Sequence, residues 1–385
     1  MQRSAIFLLT LTVGIVGSNS LVLSPVAAAV ASGLGLNEAA DVLSAMALYG
    51  LAVALSAVVL APLVDRFGAD KALKIALLVM TAALGVTGIA PNLNILIAAQ
   101  VIAGFAAGVA LPATYALAAH LAPAGKESQV IGRVLTGWTL SMAGGVTLSA
   151  WITDLAGWRM VYFLLTAGLA CATFGVTRLR LESQPTSGRV TSPLRALKLP
   201  EVLPGLFAVL MLGGGFYGIY NYLGAHLERN LGLQVSDAAL LTLSYGLGFG
   251  LSMFLDPWLD KVGPRRGLIV IFTCLSAFYA IFSGFADIYT GLLIGVFFWG
   301  LFQHAGLTLT VGRLTAIAPD QRGAILGLNS AVMYLSVFAA TLVFRPGFEV
   351  AGLTGCMWIS AVLALLGAAE ATIARLRQRR EAVPA

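Results

Sequence analysis

With 385 residues, 59% of them hydrophobic and only 10% charged, the chain carries too little charge to keep a soluble domain dispersed in water. A formal net charge of +6 would suit a nucleic acid if it were gathered on one face, but the basic residues sit in short runs between long apolar segments. Composition therefore excludes a soluble globular enzyme or a nucleic-acid binder and leaves an integral membrane protein.

Apolar runs of about 20 residues cross a hydrocarbon core of about 30 Å as helices. Twelve such runs can be read, at 4–28, 40–62, 71–90, 93–118, 130–151, 157–178, 203–226, 238–257, 266–286, 288–312, 323–343 and 350–374. They are continuously apolar, rich in Ala and Leu, and lack β-barrel alternation, so the expected fold class is all-α.

The first run gathers Gly14, Gly17, Ser18, Asn19, Ser20, Ser24 and Pro25, a polar and helix-loosening cluster at membrane depth. Arg3, the apolar stretch and Ala27-Ala28-Ala29 imitate a cleavable leader, but removing it would leave eleven spans, so it is read as the first span. Before the second run stand Asn37, Glu38 and Asp41, expected at the N-terminal end of a helix. After it comes Ala61-Pro62-Leu63-Val64-Asp65-Arg66-Phe67-Gly68-Ala69-Asp70-Lys71, the most polar interruption of the first hundred residues.

Span four contains Gln100, Gly104, Gly108, Pro112, Thr114 and Tyr115, with its two glycines at a close-approach spacing. Spans five and six flank Asp154 and Gly157-Trp158-Arg159, whose Trp and Arg are expected at a membrane–water interface. Residues 178–200 form the one linker-like stretch, basic and dotted with Pro185 and Pro193, with room for a short surface helix. Span seven combines Gly213-Gly214-Gly215 with Tyr217, Tyr220, Asn221 and Tyr222, and span ten carries Trp299, Gln303, His304, Thr308 and Thr310. Cys171, Cys274 and Cys356 fall inside spans without CxxC spacing and read as buried packing residues.

The polar interruption occurs twice. Asp256-Pro257-Trp258-Leu259-Asp260-Lys261-Val262-Gly263-Pro264-Arg265-Arg266 repeats it 195 residues on, counting from 65 to 260. Asp41 pairs likewise with Asp237, Tyr49 with Tyr245, Gly104 with Gly300 and Pro123 with Pro319. Parallel repeats of like topology are one of the known plans of membrane transporters. With twelve spans and a cytoplasmic N-terminus, twenty Lys and Arg fall inside and only Arg159, Arg229 and Arg345 outside, which supports both span count and orientation. The expected domains are an N-terminal six-helix bundle (1–178), a cytoplasmic linker (179–202), a pseudo-symmetric C-terminal six-helix bundle (203–376) and a short basic, disordered tail (377–385).

The repeated stretch resembles the cytoplasmic-loop signature of the major facilitator superfamily, roughly G-x-L-A-D-R-x-G-R-R/K. Leu63, Asp65, Arg66 and Gly68 match it, with Lys71 one place late; Ala61, Ala69 and Asp70 depart from it. The second copy keeps Asp260, Lys261, Gly263, Arg265 and Arg266. Within that family the chain is similar to arabinose-efflux-permease-like exporters and drug/proton antiporters, though Gln100 stands where they usually carry Arg, and Gly144-Gly145-Val146 where they carry Gly-Pro. The resemblance implies a monomeric, multi-pass protein of the bacterial inner membrane with both termini cytoplasmic, working by alternating access. It also implies a cytoplasmic gate formed by Asp65, Arg66, Gly68, Asp260, Lys261 and Gly263, whose glycines permit tight turns.

The same resemblance places spans one, four, seven and ten around a substrate pathway, with Asn19, Tyr115, Trp138, Tyr220, Asn221, Trp299, Gln303 and His304 as substrate-binding candidates and Asn329 and Tyr334 as helpers. That aromatic, amide-rich set fits a small neutral or weakly polar organic solute. Proton coupling needs a titratable group at membrane depth, and every acid is placed in loops or at helix ends. His304 is the one midmembrane candidate, with Asp41 and Glu228 at the outer rim. No metal or cofactor is expected. The alternatives are an uncoupled facilitator or an uptake carrier of the same fold; a membrane phosphotransferase holding a metal on Asp256 and Asp260 lacks the further carboxylates that chemistry requires, and a structural or sensor protein would not need polar residues at midspan. A channel would need a continuous polar lining.

Overall fold

A computed structural model describes residues 2–60, 68–123, 127–179, 193–318 and 321–381. Every regular element among them is helical. The first half of the chain gives α1 (Gln2–Val22), α2 (Ala27–Gly33), α3 (Ala39–Val59), α4 (Ala69–Ile89), α5 (Leu93–His120), α6 (Glu127–Leu140), a π-helical turn (Ser141–Val146), α7 (Thr147–Ala156) and α8 (Trp158–Arg178). The second gives α9 (Pro193–Ala196), α10 (Val202–Leu231), α11 (Val235–Leu251), a 3-10 turn (Ser252–Leu255), α12 (Asp256–Val262) and α13 (Pro264–Phe282). It closes with a 3-10 turn (Ser283–Phe285), α14 (Tyr289–Thr315) and α15 (Arg322–Glu381).

Among the described residues ten segments are long and apolar enough to cross a membrane, so the chain is a multi-pass membrane protein. One of them, Ala324–Arg377, covers 54 residues. It breaks at Ala351 (φ −135°, ψ 16°) and Gly352 (φ 59°, ψ −146°), so α15 is two helices joined at a corner. α6, the π turn and α7 follow one another through 127–156 with no piece of span length. Phe7, Leu155, Phe254 and Val350 are largely exposed, as side chains facing lipid would be.

The chain divides into two compact units, one of residues 1–190 with 233–243, the other of 191–232 with 244–385. In the first, α5 packs against α3 and α4, and α4 against α8; in the second, α15 packs against α10 and α13, and α14 against α13.

The sequence duplication is visible inside each unit. Ser56 Oγ donates to Phe105 O at 2.7 Å, and Ser252 Oγ to Leu301 O at 3.0 Å. A Cβ on Gly104 would run into Tyr49 O, and one on Gly300 into Tyr245 O, so each glycine exists to let two backbones touch. Gly68 (φ 88°) and Gly263 (φ 77°) both take a backbone that side chains disfavour, immediately before α4 and α13.

Several expectations need correction. The first span is not one helix through residue 28: α1 ends at Val22 and α2 starts at Ala27, because Pro25 has no N–H to continue the ladder. Trp158 is 3% exposed, packed beneath Gly33 and edge-on to Tyr162, not an interface anchor. Cys171 and Cys274 are exposed on helix surfaces and only Cys356 is buried; an all-apolar helix does not reveal which face turns inward. The tail beyond 376 is helical as far as Glu381. The short helix expected in the linker is α9; residues 180–192, like Asp65 and Arg66 of the expected gate, lie outside the described residues.

Candidate functional site

In the first unit the polar groups of α1 and α5 turn to each other. Asn19 Nδ2 donates to Gln100 Oε1 at 3.2 Å, and Gln100 Nε2 donates back to Asn19 Oδ1 at 3.4 Å and to Thr87 Oγ1 at 3.3 Å. At the next residue of α1, Ser20 Oγ lies 3.0 Å from the Tyr49 hydroxyl. Asn19 is 2% exposed and Gln100 0%, so the amide expected to face a cavity is spent on a neutral reciprocal pair. Such pairing is what makes two buried amides tolerable, since a lone one would keep its desolvation cost. Tyr115 and Trp138 do come together: Trp138 Nε1 donates to the Tyr115 hydroxyl at 3.1 Å, and both side chains stay partly exposed. Tyr115 lies in α5 and Trp138 in α6, just before the π turn where Gly144 and Gly145 replace the expected Gly-Pro.

The second unit is aromatic. Phe216 stacks on Tyr220 (5.2 Å, 19°) and touches Tyr217, Tyr245 and Trp299 with ring centroids 4.9, 5.4 and 5.2 Å away. Trp299 Nε1 donates to the Tyr279 hydroxyl at 2.9 Å, which fixes the indole in the cluster. From Tyr245 the rings continue to Phe249 (6.1 Å) and from Phe249 to His304 (4.9 Å, edge-on). Asn221 Nδ2 donates to Thr341 Oγ1 at 2.9 Å, and Gln303 Nε2 reaches Leu212 O at 3.5 Å, so each of these amides is bonded within its own unit.

His304 has the partner that the sequence reading denied it. Its Nε2 lies 3.1 Å from Asp256 Oδ1, with Thr308 Oγ1 at 3.4 Å. A carboxylate only accepts, so Nε2 carries the hydrogen; Nδ1 is buried with no partner. Asp256, weighed above as half of a metal pair with Asp260, spends Oδ1 on this bond. Asp256 does stand at a helix end, as the first residue of α12, and turns its carboxylate onto α14. A signal existed. Ser244 bonds Leu293 O and Ser252 bonds Leu301 O at one constant offset of 49, as two helices running the same way must, and Asp256 and His304 follow one turn further at 48.

A separate charge cluster closes the other end of α14. Arg313, 3% exposed, makes a two-pronged bond to Glu370 at 2.7 and 2.8 Å, with Glu201 at 3.6 Å; Arg265 meets Glu201 at 3.0 Å. The rim candidates lie elsewhere: Glu228 is exposed at the end of α10 and Asp41 sits in the first turn of α3. Asp237 takes the N–H of Gln234 at 2.9 Å. Of the remaining gate candidates, Lys261 is exposed and Asp260 lies in α12.

Long apolar helices in two internally similar units, with neutral polar and aromatic groups held at depth, define a polytopic membrane transporter. Comparison with known proteins agrees. The model of the Major Facilitator Superfamily matches residues 6–253 and 205–385, and the chain belongs to that family. It is 25% identical over 369 residues to YwfA of Bacillus subtilis (strain 168), described as an uncharacterized MFS-type transporter, covering 93% of this chain and 89% of that one. YbcL of the same strain, described in the same words, is 24% identical over 359 residues, covering 93% and 92%. YtbD, also so described, is 26% identical over 230 residues, covering 59% and 58%.

Proposed function

We propose that the chain is a twelve-span secondary active carrier that exports a small, neutral or weakly polar organic solute in exchange for protons. Two six-helix halves, 1–178 and 203–376, rock about a central site. The corner at Ala351 and Gly352, which divides one long segment into two of span length, supports the count. The Bacillus relatives and the inside-basic charge distribution support a bacterial inner membrane with both termini cytoplasmic.

The observation that carries proton coupling is the His304–Asp256 contact at 3.1 Å with Nδ1 left bare. Neutral His304 with ionised Asp256 carries one negative charge; protonation at Nδ1 makes the pair neutral. A site that alternates between two charges at depth is what a proton-driven carrier needs. The amides of Asn19 and Asn221 then serve to hold their units together, and solute contacts fall to Tyr115, Trp138 and the aromatic cluster.

The test begins with a solute found by thermal stabilisation of the purified protein over drugs, sugars, nucleosides and amino acids, since a ligand of the folded state raises Tm. Vesicle transport is then measured with and without an imposed pH gradient. Wild type should concentrate the solute only with the gradient, and His304→Ala and Asp256→Asn should equilibrate it without concentrating it. A His304→Ala protein that still follows the gradient removes the proton role; a wild type that never concentrates solute is a uniporter.

A further inference from the structure

His226, near the end of α10, is 1% exposed and plays no part in the site above. Its Nε2 lies 2.9 Å from Ala286 O, and since a carbonyl only accepts, Nε2 carries a hydrogen. The N–H of Leu353 points at Nδ1 from 3.4 Å, and since an N–H only donates, Nδ1 is bare. Two backbone partners of opposite kind thus fix one neutral tautomer. The ring ties three strands of chain: the end of α10, the segment before α14, and the corner of α15, where Gly352 takes φ 59° and packs against His226 and Asn230.

The other unit ties the same place differently. Ala90 stands 196 residues before Ala286, and Gly157, with φ 81°, stands 195 before Gly352. There the carbonyl of Ala90 is taken by Arg159 Nη2 at 3.0 Å, with the guanidinium 4.3 Å over the Trp158 ring. A guanidinium stays charged at every physiological pH. An imidazole does not.

We propose that His226 is an acid-sensitive tie on the corner of α15, releasing Leu353 when it is protonated. A proton on Nδ1 sets two donors against each other and ends the Leu353 bond. It also places positive charge at the first free N–H groups of a helix, where the helix dipole disfavours it. Burial opposes the imidazolium and Asp287, whose Oδ1 lies 3.3 Å from Nε2, favours it. The other charges nearby are Glu228 and Arg229 on the same helix and the Arg345–Glu349 pair on α15; Cys356, beyond the corner, is buried. The ring then holds Ala286 and Asp287 while the corner comes free. With the orientation proposed above this is the outer end of the second unit, so acid outside loosens it.

Hydrogen–deuterium exchange on the purified full-length protein in detergent, corrected for intrinsic rates, tests this without depending on orientation. Between pH 8 and pH 5 the segment around Leu353 should lose about tenfold in protection, the factor one buried hydrogen bond carries, while the segment around Gly157 stays unchanged. His226→Gln should make the Leu353 segment indifferent to pH. Asp287→Asn, at an exposed position, should move the transition to lower pH and serves if His226→Gln does not fold. A wild-type Leu353 segment equally protected at both pH values overturns the proposal, as does a response that survives His226→Gln or a midpoint unmoved by Asp287→Asn.

Discussion

The two units share a frame and differ in what they hang on it. Ser56 and Ser252 bond carbonyls at matching positions, and Gly104 and Gly300 admit matching backbones. On that frame the first unit carries neutral amides and hydroxyls around Asn19 and Gln100, whereas the second carries stacked rings, a His–Asp pair and a buried Arg–Glu pair. Where the second unit has His304, the first has Gly108, packed on Ser56. Where it has Arg313 and Glu370, the first has Leu117 and Gly175. Duplication preserved the contacts that set helix spacing, because losing one costs both helices their packing. The charged and aromatic side chains of these clusters, Tyr245 apart, were not preserved between the units.

The comparison can be broken most severely at Arg313. Removing one partner of a buried ion pair strands the other charge, so Arg313→Ala should cost about 3–5 kcal/mol and lower Tm by thermal unfolding in detergent. Replacing Leu117, its counterpart, by Ala should cost about 2–5 kcal/mol through a cavity, and its loss should be insensitive to pH. Next come the shared glycines. Gly104→Ala and Gly300→Ala each force a Cβ into a backbone carbonyl, and both should lose about 1–3 kcal/mol. Unequal losses there would mean the frame is not shared.

The amide pair is sharper because it belongs to one unit alone. Asn19→Ala and Gln100→Ala should each cost about 1–3 kcal/mol by leaving the other amide unpaired, and the double variant less than the two together. Strict additivity would show that the pair does not exist in the working protein. The smallest effect belongs to Ser56→Ala and Ser252→Ala, about 0.5–1.5 kcal/mol each and equal between units.

Much of this was legible early. Continuous apolar runs announce helices in a bilayer because lipid offers the backbone no other partner. The turn glycines at 68 and 263 were readable because only a residue without Cβ takes that backbone freely. The candidate site was less legible. Of the residues that the resemblance set on the pathway, Tyr115 and Trp138 meet each other, while Asn19 bonds Gln100 and Asn221 bonds Thr341, pairings that no spacing along the chain announced. Asp256 was weighed only in a metal pair that was set aside, and its place beside His304 was not foreseen, since a residue at a helix end can lie against a helix 48 positions on.

By itself the sequence determined the helices and the duplication, which rest on local spacing and composition, and it carried the loop motif by which the chain resembles its family. Only the tertiary structure decided which polar groups face each other, which cysteines and tryptophans lie inside, and that a histidine holds the corner of α15. The reason is physical: in a helix apolar on every side, nothing local distinguishes the face that meets lipid from the face that meets a neighbour.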